Sequence, residues 1–153
     1  MPRTARKVLG DCKIILEMME KESNADRLRV LWIGSLALLR MVGHVLYKVD
    51  AEDPIISARL DHCWPKFKSH PIFDKFINDS RNRALKEYSL DLYDESTVVV
   101  VSTDENGREL PKLFNNCMFM PLLDGFMAGE DGRDVYRGAI DWWDSVLTEV
   151  ESA

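Results

Sequence analysis

Apolar residues recur at Val8, Cys12, Ile15, Leu16 and Met19 with charges between them, a spacing that predicts a first helix over residues 4–21. Ser23, Asn24 and Asp26 are helix-capping residues that separate it from the next pattern. Over residues 26–49 the positions Leu28, Leu31, Trp32, Ser35, Leu36, Leu39, Val42, Gly43 and Leu46 keep the helical period. Ile33, Leu38, Met41 and Val45 widen that stripe beyond what one neighbour covers, which puts this helix at the centre of a bundle or of a dimer.

The acidic run at 50–53 followed by Pro54 is a stop and a new start, since proline suits the first turn of a helix. The third helix should run from Pro54 to about Phe67, with Pro65 kinking or ending it. Ser69, His70 and Pro71 open a fourth helix that reaches Tyr88, its apolar face made by Ile72, Phe73, Phe76, Ile77, Ala84 and Leu85. Beyond Tyr88 the pattern changes to a β-branched run, and Asp104-Glu105-Asn106-Gly107 is a hairpin turn signal. Two strands at about 97–103 and 108–114 are expected to pair, with a possible third over 117–123. Residues 129–132 read as a loop, and Val135, Ala139, Ile140, Trp142, Trp143, Val146 and Val150 define a final amphipathic helix over 133–150. The expected fold is mainly α: an up-and-down bundle of about five helices, with a small antiparallel β-hairpin inserted at about 96–123, in one domain over 1–153.

Composition supports a single ordinary globular domain: 153 residues, 46% hydrophobic and 30% charged. The longest apolar run, 30–39, is closed by Arg29 and Arg40 and falls short of the ~20 residues that cross a bilayer. Gly10, Asp11 and Lys13 break any signal-peptide core after the basic start, so a cytoplasmic location without membrane contact is expected. Cys12, Cys63 and Cys117 have no metal-ligand spacing and are expected as reduced thiols. The net charge of −6 is unevenly spread: sixteen Lys and Arg face twelve Asp and Glu through Tyr88, against four and fourteen beyond it. That asymmetry can bias where an anion approaches, or make two copies attract.

Candidate chemistry concentrates in Ser80-Arg81-Asn82-Arg83-Ala84-Leu85-Lys86-Glu87-Tyr88. This stretch resembles the Arg-Asn-x-Leu-x-His-x-Tyr signature of HEPN domains, with Lys86 standing where that family has its histidine. The resemblance implies a small helical bundle, often an RNA-cleaving toxin, in which the arginine stabilises phosphate charge and the histidine moves a proton at the 2′-hydroxyl. It also implies a homodimer that builds its cleft from two copies, and a nucleotidyltransferase-type antitoxin that would modify Tyr88. No cofactor or metal is implied. Lysine is a poor acid/base here, because its pKa would have to fall by roughly three units, about 4 kcal/mol, yet it remains a good point charge for phosphate.

In a regular helix Arg81 and Lys86 lie about 140° apart, so they share a site only if the helix is distorted or a second copy contributes. Asn82 and Lys86, four apart, share a face. On the second helix Arg40 and His44 form another such pair, followed by Tyr47. His44 either supplies the missing imidazole from there or is a partly buried histidine bonded to a neighbour. His62 and His70 read as helix-boundary residues. Asp131, Asp134, Asp141 and Asp144 contain pairs suggestive of a cation site, although a solvated helix start explains the first two.

Three functions fit these residues. One is a catalytically degenerate HEPN-like protein binding RNA or nucleotide phosphate through Arg81, Asn82 and Lys86, with Arg40 and Tyr88 nearby. Another is an active metal-independent ribonuclease using His44 or Lys86. The last is a structural or interaction protein without a ligand.

Overall fold

The computed structural model describes residues 1–92, 103–109 and 119–152. Five helices carry the fold: α1 (Arg3–Lys21), α2 (Ala25–Lys48), α3 (Pro54–Lys68), a composite α4 made of Ile72–Asn78, Asp79–Asn82 and Arg83–Glu87, and α5 (Gly132–Ser152). A short 3₁₀ turn, Asp50–Glu52, joins α2 to α3. Each helix sits within a residue or two of its expected place, because each carries its own apolar stripe and its own start signal. Asn24 caps α2 by accepting from Arg27 N at 3.0 Å, and Asp53 caps α3 by accepting from Ile55 N at 2.9 Å.

The core is built around α2, which packs on α1, α4 and α5. Trp32, Leu36, Leu39, Val42 and Leu46 are fully enclosed, together with Leu9 and Met19 of α1, Phe73, Phe76 and Ile77 of α4, and Tyr136, Trp143 and Leu147 of α5. Gly43 lets α5 approach α2 closely: a Cβ there would lie 2.7 Å from the Trp143 ring. By length and composition alone, the span 25–52 is apolar enough to cross a membrane; here it is the central helix of the bundle.

Ends of the helices are tied by residues far away in sequence. Asp50 accepts from Thr4 N at 3.0 Å and Ala5 N at 2.8 Å, so the turn after α2 caps the start of α1. Arg59 of α3 donates to the carbonyls of Val150 and Glu151, both at 2.8 Å, and caps the end of α5. Arg6 joins α1 to α5 through Asp144, Thr148 and Glu151.

Several expectations are corrected. Pro65 does not end α3, which continues to Lys68; both Pro65 and Asp61, whose carbonyl loses its helical donor, are solvent-exposed, so water can satisfy that group. The fourth helix is not regular, since π-type segments flank one α-turn. Leu85, expected on the apolar face, is 45% exposed. Among the described residues no strand is formed. The expected strands at 97–103 and 108–114 lie mostly outside those residues; one antiparallel bridge, Thr103 to Glu109, closes the turn in which Asp104 Oδ1 accepts from Asn106 N and Arg108 N. The possible third strand over 117–123 lies partly outside the described residues; within 119–123, Pro121 and Leu122 make only isolated bridges, to Asp131 and Leu92.

Candidate functional site

Arg81 lies beside Arg40 across a cleft, while Tyr88 reaches Arg29 eleven positions earlier on α2, so α4 runs antiparallel to α2. Between the two helices is a cleft of about 260 Å³ lined by Ala37, Arg40, Met41, His44, Arg81 and Leu85. The pair Arg40 and His44 share one face of α2 by their spacing of four, and Arg81 and Leu85 do the same on α4. Two motif halves that the sequence leaves separate are thereby brought together.

Arg40 is partly buried, and its guanidinium carbon sits 5.5 Å from the centre of the Phe73 ring. Burial, and then repulsion from Arg81, push its pKa below the ordinary arginine value. Arg81 Nη1 donates to Asn82 Oδ1 at 2.9 Å, which fixes one edge of the guanidinium. His44 is exposed and makes no side-chain hydrogen bond among the described residues, so it is not the bonded, partly buried histidine that was the alternative.

The state of the other arginines makes this pair unusual. Seven are partly or fully buried among the described residues: Arg6, Arg29, Arg40, Arg59, Arg81, Arg83 and Arg133. Arg6, Arg29, Arg83 and Arg133 each hold a carboxylate within 3 Å, and Arg59 holds two backbone carbonyls. Arg40 and Arg81 have neither, and they face the same cleft. A partly desolvated cation without a counter-charge costs free energy, so two of them side by side define a place where an anion is favoured.

Other expected site residues fall elsewhere. Lys86 is exposed and is not among the residues lining this cleft, in spite of the wider i→i+5 turns around it. Tyr88 sits in the left-handed conformation that ends α4, at φ 52°, and is 67% exposed, with its hydroxyl near the Arg29 guanidinium and not among the residues lining the cleft. Asn82 positions Arg81 and faces a second cavity of about 710 Å³ on the far side of α4, shared with Asp74, Asp79, Arg83, Asp91 and Phe126. There the buried Asp91 pairs with Arg83 at 2.7 Å; burial raises its pKa, and the attraction of Arg83 does not fully offset that.

Three of the four acidic residues at and within α5 are engaged by arginines, Asp131 by Arg133, Asp134 by Arg137 and Asp144 by Arg6, while Asp141 is exposed. Asp131 is therefore not the solvated helix start that was expected; its side chain is 11% exposed and also accepts from Met120 N. No cluster suited to a metal occurs among the described residues. Cys12 and Cys63 are buried, and burial raises the Cys12 thiol to about 11 against the lowering effect of its hydrogen bond with Tyr136, which makes it an unreactive core residue. His70 stacks on Trp142 at 5.4 Å, a packing role for a residue the sequence placed at a helix boundary.

Searches among protein families, curated proteins and solved structures find nothing that matches this chain.

Proposed function

We propose that this chain is a HEPN-like helical protein, catalytically degenerate, that binds RNA or a nucleotide by its phosphate in the cleft between α2 and α4. The observation that carries this reading is the pairing of Arg40 and Arg81, partly buried cations that no carboxylate or backbone carbonyl satisfies among the described residues, Arg81 holding only the neutral amide of Asn82. Asn82 acts as a positioning residue for Arg81, and the exposed Lys86 adds at most a peripheral charge. The motif position that carries the family's proton-moving ring thus holds an exposed lysine that does not line the cleft.

Binding of RNA and of nucleotides, followed by fluorescence anisotropy, should weaken with salt. Arg81→Ala should weaken it at least tenfold, since a hydrogen bond to a charged group contributes about 1.5–3 kcal/mol. Unchanged affinity in that variant would remove the proposal. A purely structural role for the motif predicts the reverse: Arg81→Ala would lower the melting temperature and leave ligand response alone.

A second reading, a metal-independent ribonuclease, is favoured by one feature: His44 lines the same cleft as Arg81. It requires RNA cleavage that is lost in His44→Ala, and intact RNA after long incubation with the unaltered protein rejects it. Two further elements belong to this proposal. A homodimer would cover the exposed Met18 and Val30 on α1 and α2, and Tyr88, open to solvent, would be the acceptor for a nucleotidyltransferase-type antitoxin.

A further inference from the structure

We infer that the α2–α4 cleft takes a terminal phosphomonoester, as on a mononucleotide, and discriminates against the internal phosphodiester of an RNA chain: two guanidiniums that hold no carboxylate among the described residues line one cleft of about 260 Å³. This rests on the phosphate-binding reading above and narrows its ligand class. Charge is the first argument. Arg40 and Arg81 together present two positive charges, and Asn82 contributes an amide oxygen but no negative charge. A phosphomonoester, with a second pKa near 6, carries close to two negative charges at neutral pH, whereas a diester carries one. The dianion leaves neither guanidinium uncompensated and relieves the mutual repulsion that, after burial, lowers the Arg40 pKa.

Size is the second argument. About 260 Å³ lies just under the ~300–1,000 Å³ of ordinary small-molecule sites, enough for a phosphate and an adjoining sugar. Ala37, Met41 and Leu85 give that adjoining group an apolar wall. The surroundings supply the third. Across α4 from Arg81, the neighbouring cavity is lined by Asp74, Asp79 and Asp91 against Lys75 and Arg83, with Arg83 paired to Asp91, and the whole chain carries a net charge of −6. That lining sums to a negative charge, so a polyanion extended past α4 finds no net attraction there and the favourable potential centres on the cleft.

Isothermal titration calorimetry on the full chain tests this with three probe sets: the four ribonucleoside 5′-monophosphates, their 5′-methyl phosphate esters, and a ten-nucleotide RNA with hydroxyl groups at both ends. The ester keeps base and ribose and removes one charge. At least one monophosphate should bind more than fivefold tighter than its methyl ester and than the RNA. In Arg40→Gln and Arg81→Gln, each checked for native circular dichroism, that preference should fall below twofold. Equal binding of monophosphate and ester, or tighter binding of the hydroxyl-ended RNA, overturns the inference while leaving a phosphate cleft in place. If none of the three sets binds, the parent reading falls with it.

Discussion

Replacing Arg40 by methionine separates a ligand site from a structural one more sharply than any other single change. Methionine keeps the length and apolar stem that packs beside Phe73, itself only 2% exposed, and removes the charge. What is lost in the free protein is a cation–π contact at 5.5 Å, about 0.5–1 kcal/mol. What is gained is relief from burying a cation without a counter-ion and from the repulsion of Arg81, the two effects that lower the Arg40 pKa. These terms oppose each other at similar size, so net stability should change by no more than about 1 kcal/mol, a shift of roughly 2–4 °C for a chain of this length. Binding of a nucleotide phosphate should meanwhile fall at least tenfold, because one of two charge-assisted contacts is gone. Thermal unfolding by circular dichroism and calorimetric titration measure the two quantities on one sample. A drop of more than about 8 °C with unchanged binding would refute the reasoning and make Arg40 a structural residue.

Other predictions concern the frame that holds the cleft. Gly43→Ala drives a methyl group against the Trp143 ring, which is fully buried, and should cost about 1–3 kcal/mol in urea unfolding; a neutral result would mean that α2 and α5 are further apart than described. Asp50→Ala frees Thr4 N and Ala5 N at the start of α1 and should cost about 0.5–2 kcal/mol, read as a loss of melting temperature that Asp50→Asn partly restores. Burial opposes ionisation of Asp131, but hydrogen bonds from Arg133 and from the N–H groups of Met120 and Arg133 outweigh it and hold the carboxyl below its ordinary pKa. Its contribution to stability is therefore complete above the unfolded value near 4 and is lost as pH falls through the lower folded value. Asp131→Asn should flatten the acid limb of a stability–pH profile there, and an unchanged limb would count against the pairing.

The helices were legible in the residue pattern because a stripe of period 3.6 is a local property, set by each segment's own sequence and its capping residues. Asn24, Asp53 and Pro54 mark their boundaries without help from the rest of the chain. Arg40, His44 and Arg81 were also recognisable as chemistry-bearing residues. That the three line one cleft was not legible, since it depends on the antiparallel register of α4 against α2. Lys86 matched the motif in spacing but missed the cleft, and Asn82 turned to hold its neighbour's guanidinium, because π-type turns alter which side chains share a face. Nor does any local signal announce that Asp50 caps a helix 46 residues earlier or that Arg59 closes one 91 residues later. Sequence alone settled which segments are helices and which of their faces are apolar, through spacing between near neighbours. Tertiary packing decided which polar side chains meet, because only the register between helices brings residues distant in the chain within reach of one another.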